Sequence, residues 1–249
     1  MAILCFLILC AHLKAESVFS LDLKTDIALS ALAIGISVSS LLIETEPSRI
    51  PNSLNRSDVN AFDRALMVTR QNAAIKRVSD VTVAGLGLLP VLSFLDNLNA
   101  NTVLTYGVMY SQAMLLAYGS RMLLKNNVTR FRPYLHDGRE LRSDHRTDSF
   151  PSGHTCAAFL SATFFSTTFS LEHPDSRWRW PVIIGSHILA ASVGAMRMMA
   201  GMHFLSDVLV GAAMGSLYGW LIPYLHRNRN VRNVPVKITG DGLLLSLRL

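Results

Sequence analysis

Six long apolar blocks constrain the fold of this chain more than any other feature of its sequence. Each is close to the roughly 20 residues that a helix needs to cross the apolar core of a bilayer. Only 16% of the residues are charged, which is low for an ordinary soluble domain. The sequence therefore predicts an all-α fold, an integral membrane bundle of about six transmembrane helices. The blocks are Ile27–Ile43, Val81–Leu95, Val103–Leu124, Thr155–Leu171, Val182–Met196 and Phe204–Leu225.

A soluble helical bundle with a very apolar core is the alternative fold, but such a bundle needs polar outer faces that these blocks do not offer. The net charge of +6 comes from arginines and lysines that lie mainly in short segments beside the blocks. This pattern favours a bilayer surface or a phosphorylated substrate as partner, and no nucleic-acid motif appears. The three cysteines lack the spacing of a metal site, so we expect no metal and no cofactor.

The chain divides into three parts. Residues 1–26 resemble a signal peptide or a membrane anchor, although the positively charged start typical of a secretory signal is lacking, so cleavage stays open. Residues 27–226 form the membrane domain, in which the loop 43–80 carries either an interfacial helix from about residue 58 or a polar linker with one helical turn. Residues 227–249 are a basic tail, in which an Asp-Gly pair between β-prone strings indicates a small hairpin.

The first of three polar clusters closes the third apolar block. It contains Lys125 and Arg132, and Arg132 is followed by Pro133. Proline biases the residue before it away from helical geometry, so Arg132 is expected to be presented from a bend. Taken alone, basic residues at such a position are also typical of anchors at the membrane surface.

The second cluster, "SFPSGHT" at residues 149–155, opens the fourth block. Ser152 can cap a helix that begins near Gly153, and a cap alone would explain the serine. A helix N-terminus also favours anions such as phosphate, and a glycine lets an anion approach the main chain. His154 would then lie in the first turn, where it could donate a proton to a leaving oxygen.

The third cluster contains Arg197, His203 and Asp207. His203 and Asp207 are four residues apart at the predicted start of a helix, so they are expected to share one face. A carboxylate beside an imidazole can fix its tautomer, which leaves the other ring nitrogen free to attack phosphorus. A purely structural His–Asp pair is an equally good interpretation of this cluster alone.

Topology unites the three clusters. With six crossings, the end of the third block, the start of the fourth and the link between the fifth and sixth lie at the same membrane face. The clusters then form a phosphate pocket that holds a nucleophile and an acid. The pocket contains two histidines, one carboxylate, three cations and a helix N-terminus.

The three clusters resemble the three-part signature of the phosphatidic acid phosphatase type 2 (PAP2) superfamily, in its membrane lipid phosphatase branch. The matching pattern is Lys125, six residues, Arg132-Pro133; then Pro151-Ser152-Gly153-His154; then Arg197, five residues, His203, three residues, Asp207.

The resemblance implies a role for each residue of the signature. Lys125, Arg132 and Arg197 would bind phosphoryl oxygens with Ser152 and the Gly153 amide. His203 would form a phosphohistidine and Asp207 would orient it. His154 would protonate the leaving group and later activate water, with no metal. Met196 stands where the family usually has a serine, and Arg130 lies outside the pattern, so it is expected to matter less than Arg132.

The resemblance further implies a membrane-bound phosphatase that hydrolyses a phosphomonoester or pyrophosphate of a lipid. One alternative is an enzyme like the vanadate-dependent haloperoxidases, against which six apolar spans argue. The other is a non-catalytic membrane protein that binds or transports lipid, against which the intact histidine and aspartate set argues. We expect a bacterial inner membrane and a site facing the periplasm, which six crossings from a cytoplasmic N-terminus would give.

Overall fold

The computed structural model describes residues 18–43, 51–95, 97–140, 147–228, 238–239 and 242–243. Most of segment 1–26 and most of tail 227–249 therefore lie outside the described residues. Within the described ranges, six long helices follow the six apolar blocks, and a short helix precedes the second of them. The helices are α1 (Leu23–Leu42), α2 (Ala61–Ala65), α3 (Ala73–Leu86), α4 (Ala100–Asn127), α5 (Gly153–Glu172), α6 (Arg179–Met199) and α7 (Leu205–Leu225). Short 3₁₀ helices lie at Arg56–Asp58, Leu89–Phe94 and Pro133–Leu135.

Four described segments are long and apolar enough to cross a membrane, namely Leu23–Leu42, Ala73–Phe94, Arg179–Met199 and Leu205–Leu225. The helices α4 and α5 are also long but carry more polar side chains. α5 packs against both α6 and α7, and most of its polar side chains are buried inside the bundle. Neighbouring helices rather than lipid surround these groups, which is why α5 tolerates them. The predicted all-α membrane bundle is confirmed, and the chain is a multi-pass membrane protein.

The second long helix begins eight residues before the apolar block that predicted it. α3 starts at Ala73, where the side chain of Asn72 accepts hydrogen bonds from the amides of its first turn. The early turns contain Lys76 and Asp80, which break the apolar pattern in the sequence. The polar side chain of Asp80 is acceptable there because it contacts residues of the site described below rather than lipid. After Leu86 the chain continues as the 3₁₀ helix that contains Pro90.

Glycines bring α5 and α7 into close contact. Gly211, Gly215 and Gly219 lie on one face of α7, and a Cβ atom on any of them would overlap a main-chain oxygen of α5. At Gly211 the added Cβ would lie 2.5 Å from the carbonyl oxygen of Ser152. The contact fixes the starts of both helices beside each other.

The two ends of the bundle domain meet at the face opposite the clusters. The amide of Ser20 donates to the carbonyl oxygen of His226 at 3.0 Å, and Nε2 of His226 lies 2.8 Å from a carboxylate oxygen of Asp26. The start of α1 and the end of α7 therefore share one end of the bundle. In the tail, β1 (Ile238–Thr239) pairs antiparallel with β2 (Gly242–Leu243), which confirms the predicted hairpin.

Candidate active site

The ends of the long helices bring the three sequence clusters together around a cavity of about 390 Å³. Lys125 comes from the last turn of α4, His154 from the first turn of α5 and Arg197 from the last turn of α6. The predicted site residues that line the cavity are Lys125, Arg132, Gly153, His154, Arg197 and His203. The other two predicted residues, Ser152 and Asp207, are fully buried behind the wall.

Arg132 extends from a bend, as the following proline predicted. Its φ of −75° and ψ of 153° are extended, and the 3₁₀ helix Pro133–Leu135 begins directly after it. Main-chain hydrogen bonds at 3.0 Å join Arg130 to Thr147 and to Ser149. The chain after α4 is therefore held against the chain before α5, which joins the first cluster to the second.

Asp148 links two of the cavity cations, and no motif or spacing in the sequence indicated it. One carboxylate oxygen accepts from Nε of Arg132 at 2.9 Å, and the other lies 3.1 Å from Nζ of Lys125. Burial by itself raises the pKa of Asp148, but the hydrogen bond and charge of Arg132 and the charge of Lys125 outweigh it, so the pKa lies well below its usual range. The carboxylate stays ionised and holds both cations at the cavity.

Asp80 of α3 likewise holds two groups of the site, on the other side of the cavity. One of its oxygens accepts from Nη1 of Arg197 at 2.8 Å and lies 2.8 Å from Nε2 of His154. Ser79 accepts a second hydrogen bond from the same Arg197 nitrogen at 3.1 Å. Because a carboxylate can only accept, Nε2 of His154 carries a hydrogen in this geometry.

His203 is held by a main-chain oxygen rather than by Asp207. Its Nδ1 lies 2.7 Å from the carbonyl oxygen of Ser149 and 3.7 Å from the nearer oxygen of Asp207. The expected shared helical face is wrong because α7 begins only at Leu205, so His203 lies in the preceding linker. With Nδ1–H donating to the carbonyl, Nε2 keeps its lone pair, and the ring lines the cavity.

Burial lowers the pKa of His203, and the charges of Arg132 and Arg197 lower it further against the opposing effect of Asp207. The imidazole is therefore neutral near neutral pH, which is the form that can act as a nucleophile.

Asp207 acts on the histidine through the chain around it. Its Oδ2 accepts from the hydroxyl of Ser149 at 2.6 Å and from the amide of Phe204 at 2.9 Å. Ser149 supplies the carbonyl acceptor of His203. Phe204 directly follows His203 in the chain. That Asp207 orients His203 stays a prediction. In this geometry Asp207 would do so through its hydrogen bonds to Ser149 and Phe204.

Arg130, to which the sequence pattern gave little weight, neutralises Asp207. Its two terminal nitrogens lie 2.5 Å from Oδ1 of Asp207 and 2.5 Å from Oδ2 of Asp63 in α2. The guanidinium also lies over the ring of Phe204, 4.2 Å from its centroid. Asp63 in turn accepts from the amide of Ser206 at 2.9 Å. This network fixes the start of α7, and no sequence spacing could have shown it because its members are far apart in the chain.

The surroundings of two further positions, Ser152 and Met196, show what each side chain does in the structure. The Ser152 hydroxyl accepts from the amide of Thr155 at 3.4 Å and contacts the Thr155 hydroxyl at 2.9 Å, so it caps α5 as predicted. Met196 packs, partly buried, against an apolar cluster that includes Ala158 and Val193, and it does not line the cavity. A serine at position 196 would therefore lose packing without adding a hydroxyl to the cavity wall.

The chain is similar to known proteins in sequence and in structure. The family model of the PAP2 superfamily matches residues 106–231. A lipid A 1-phosphatase from Porphyromonas gingivalis is 33% identical over 104 residues, which are 40% of this chain and only 22% of that protein. The crystal structure of a transmembrane PAP2-type phosphatidylglycerolphosphate phosphatase from Bacillus subtilis matches 80% of this chain and 94% of its own, with 21% identity and a TM-score of 0.45.

The matched range of the family model contains all three clusters that converge on the cavity, and it covers just over half of the chain. The chain therefore belongs to the PAP2 superfamily.

Proposed function

We propose that this protein is a membrane phosphatase that removes a phosphoryl group from a phosphorylated lipid through a phosphohistidine on His203. One observation carries the proposal: Nδ1 of His203 is held by the Ser149 carbonyl, so its other nitrogen is available in a cavity lined by cations. A neutral imidazole beside several positive groups suits attack on a phosphate whose transition state carries spread negative charge.

In the first step, Lys125, Arg132 and Arg197 bind the phosphoryl oxygens. Nε2 of His203 forms a bond to phosphorus as the bond from phosphorus to the leaving oxygen breaks. His154, protonated once the phosphate anion lies beside it, supplies a proton to that oxygen. The cations are already aligned by Asp148 and Asp80, so little reorganisation accompanies the reaction.

In the second step, water replaces the histidine. His154, now neutral, accepts a proton from the water as its oxygen bonds to phosphorus. The bond from phosphorus to Nε2 of His203 breaks, and inorganic phosphate leaves. The same residue thus serves as acid and then as base, which returns both histidines to their starting forms.

The substrate is a lipid because the cavity combines a cationic end with an apolar wall inside the bundle. Met114, Ala117, Tyr118 and Leu160 line the part of the cavity away from the phosphate residues. Met114 and Tyr118 are also exposed at the surface of the bundle, where a hydrocarbon chain would lie. The similarity to a lipid A 1-phosphatase supports the same substrate class.

Two other functions fit parts of the site less well. A haloperoxidase-like enzyme would use the same cationic cavity for vanadate, but it would have no use for the apolar wall within a membrane bundle. A non-catalytic lipid carrier would not need a buried histidine with one nitrogen tied to a carbonyl and the other available.

We place the protein in a bacterial inner membrane with the cavity at the periplasmic face. The start of α1 and the end of α7 share the end of the bundle away from the cavity. A chain that enters from the cytoplasm and crosses six times would therefore present the cavity outside. A cysteine introduced at exposed Arg139 should react with a membrane-impermeant maleimide in intact spheroplasts, whereas labelling only after lysis would reverse this orientation.

Phosphate release by the purified protein in detergent tests the function. Activity on lipid phosphates should persist in EDTA, because the described residues contain no cluster of His, Cys, Asp or Glu that could hold a metal ion. Vanadate should inhibit by occupying the phosphoryl site as a pentacoordinate mimic. Halide oxidation without phosphate release would favour the haloperoxidase alternative, and neither activity would favour the carrier.

A further inference from the structure

Arg121 is a cation of the cavity wall that neither the sequence pattern nor the two-step reaction uses. It precedes Lys125 by one turn on the same face of α4, about 6 Å along the helix axis. Because α4 ends at the phosphate residues, Arg121 lies deeper in the bundle. Its guanidinium packs against the first residue of α5, since a Cβ built on Gly153 would lie 3.2 Å from Cζ of Arg121.

Arg121 differs from the other cations of the cavity wall in its partners. Lys125 and Arg132 pair with Asp148, and Arg197 pairs with Asp80. Over the described ranges no Asp or Glu pairs with Arg121. Its contacts are the sulfur of Met122 at 3.2 Å and the ring of Tyr118, with 5.4 Å from Cζ to the centroid. A half-buried guanidinium in such surroundings would be stabilised by an anion from outside the protein.

The position of Arg121 indicates which part of a substrate would bring that anion. The phosphoryl residues lie on one side of it, towards the end of the bundle. The apolar side chains of Met114, Ala117 and Leu160 lie on the other side. An anionic group at Arg121 would therefore lie between the phosphoryl group under attack and the hydrocarbon chain, which places it in the leaving group.

We propose that Arg121 determines specificity by binding an anionic phosphate in the leaving group, so that lipid diphosphates are preferred over lipid monophosphates. This inference rests on the proposed phosphatase function. Nε2 of His203 attacks the terminal phosphorus of the diphosphate, and the bond to the bridging oxygen breaks. The electron pair leaves on the lipid monophosphate, whose added charge Arg121 stabilises. A lipid monophosphate instead releases an uncharged alcohol, which gives Arg121 nothing to bind.

A matched pair of substrates tests the proposal, namely a prenyl diphosphate and the corresponding prenyl monophosphate. Removing one donor to a developing charge typically costs about 10²-fold, and we expect Arg121→Gln to lower kcat/KM for the diphosphate on this scale. For the monophosphate the loss should stay below about threefold. Arg121→Lys, which keeps the charge, should retain part of the diphosphate activity. Equal losses on both substrates, or no loss on the diphosphate, would overturn the proposal.

The control variant is Arg139→Gln, which removes the same charge from an exposed site outside the cavity and should change neither rate. If the wild-type protein hydrolyses no lipid phosphate, the phosphatase function fails, and binding then tests Arg121 separately. Titration with inorganic pyrophosphate and inorganic phosphate should show that Arg121→Gln weakens pyrophosphate binding by about tenfold, roughly 1.4 kcal/mol, and leaves phosphate binding unchanged. A variant that loses both ligands equally, or neither, contradicts the proposal.

Discussion

At the scale of single residues, three carboxylates around the cavity hold other groups of the site in place, and none of them binds phosphate in the proposed reaction. Asp148 and Asp80 each hold two of the groups that would bind or protonate the substrate. Asp207 is deeper, and it holds the chain on both sides of His203. Cations that are already paired stay in place when a phosphate arrives, and the cavity keeps its positive charge.

Arg130 should matter for both stability and rate. Arg130→Gln leaves the carboxylates of Asp207 and Asp63 buried without their cation, and breaking a buried pair in this way typically costs about 3–5 kcal/mol. We expect a lower Tm and a lower kcat than in Arg139→Gln, whose side chain is exposed. Thermal unfolding in detergent and phosphate release measure the two effects. An Arg130→Gln protein with wild-type Tm and rate would show that this network does not support the site.

The buried His203 should make stability depend on pH. Its pKa in the folded protein lies below the ordinary value near 6.5, so the unfolded chain binds more protons as the pH falls through that value. The contribution of His203 to stability is then complete above about pH 6.5 and is lost as the pH falls towards the lowered pKa. Between pH 7.5 and 5, the wild-type Tm should fall more steeply than that of His203→Gln. Parallel curves for the two proteins would contradict a lowered pKa.

At the scale of helices, the contact between α5 and α7 should be the most sensitive to added volume. A Cβ on Gly215 would overlap the carbonyl oxygen of Cys156 and lie 2.8 Å from the amide of Leu160, whereas a Cβ on Gly185 of α6 meets nothing within 4 Å. Gly215→Ala should cost about 1–3 kcal/mol through overpacking. Gly185→Ala should be neutral or stabilising by up to about 1 kcal/mol. Thermal unfolding compares the two, and equal effects would argue against close helix contact.

The helices and the cations could be predicted from the sequence because each has a local signal. Apolar blocks mark the helices, Lys125 and Arg197 lie in last turns of helices, and Arg132 is marked by the proline that follows it. The start of α3 could not be placed, because polar residues that face the site interrupt its apolar pattern. Long-range partners such as Asp148 could not be found either, since no spacing connects them to the clusters. The acceptor of His203 is a main-chain oxygen, which any residue at position 149 would provide.

At the scale of the whole molecule, the bundle serves to bring distant parts of the chain to one membrane face. α5 lies in the centre and carries the helix N-terminus and His154. α3, α4 and α6 supply groups around it, and His203 comes from the linker before α7. In the proposed reaction, the apolar wall beside these groups would keep a lipid chain within the bilayer while its phosphate reaches the cations. Family membership and the location of the cavity at one end of the bundle agree with a phosphatase that works at the lipid headgroup level.

Trapping of the phosphoenzyme tests the role of His203 most directly. The protein is mixed with a labelled aryl phosphate, quenched rapidly and examined for covalent label. Wild-type protein should hold label in the acid-labile and base-stable form that is typical of phosphohistidine, and His203→Ala should hold none. His154→Ala should still form the phosphoenzyme from this substrate, whose good leaving group needs little protonation, and should hydrolyse it slowly. Label retained on His203→Ala in the same chemical form would contradict the assignment of His203 as the nucleophile.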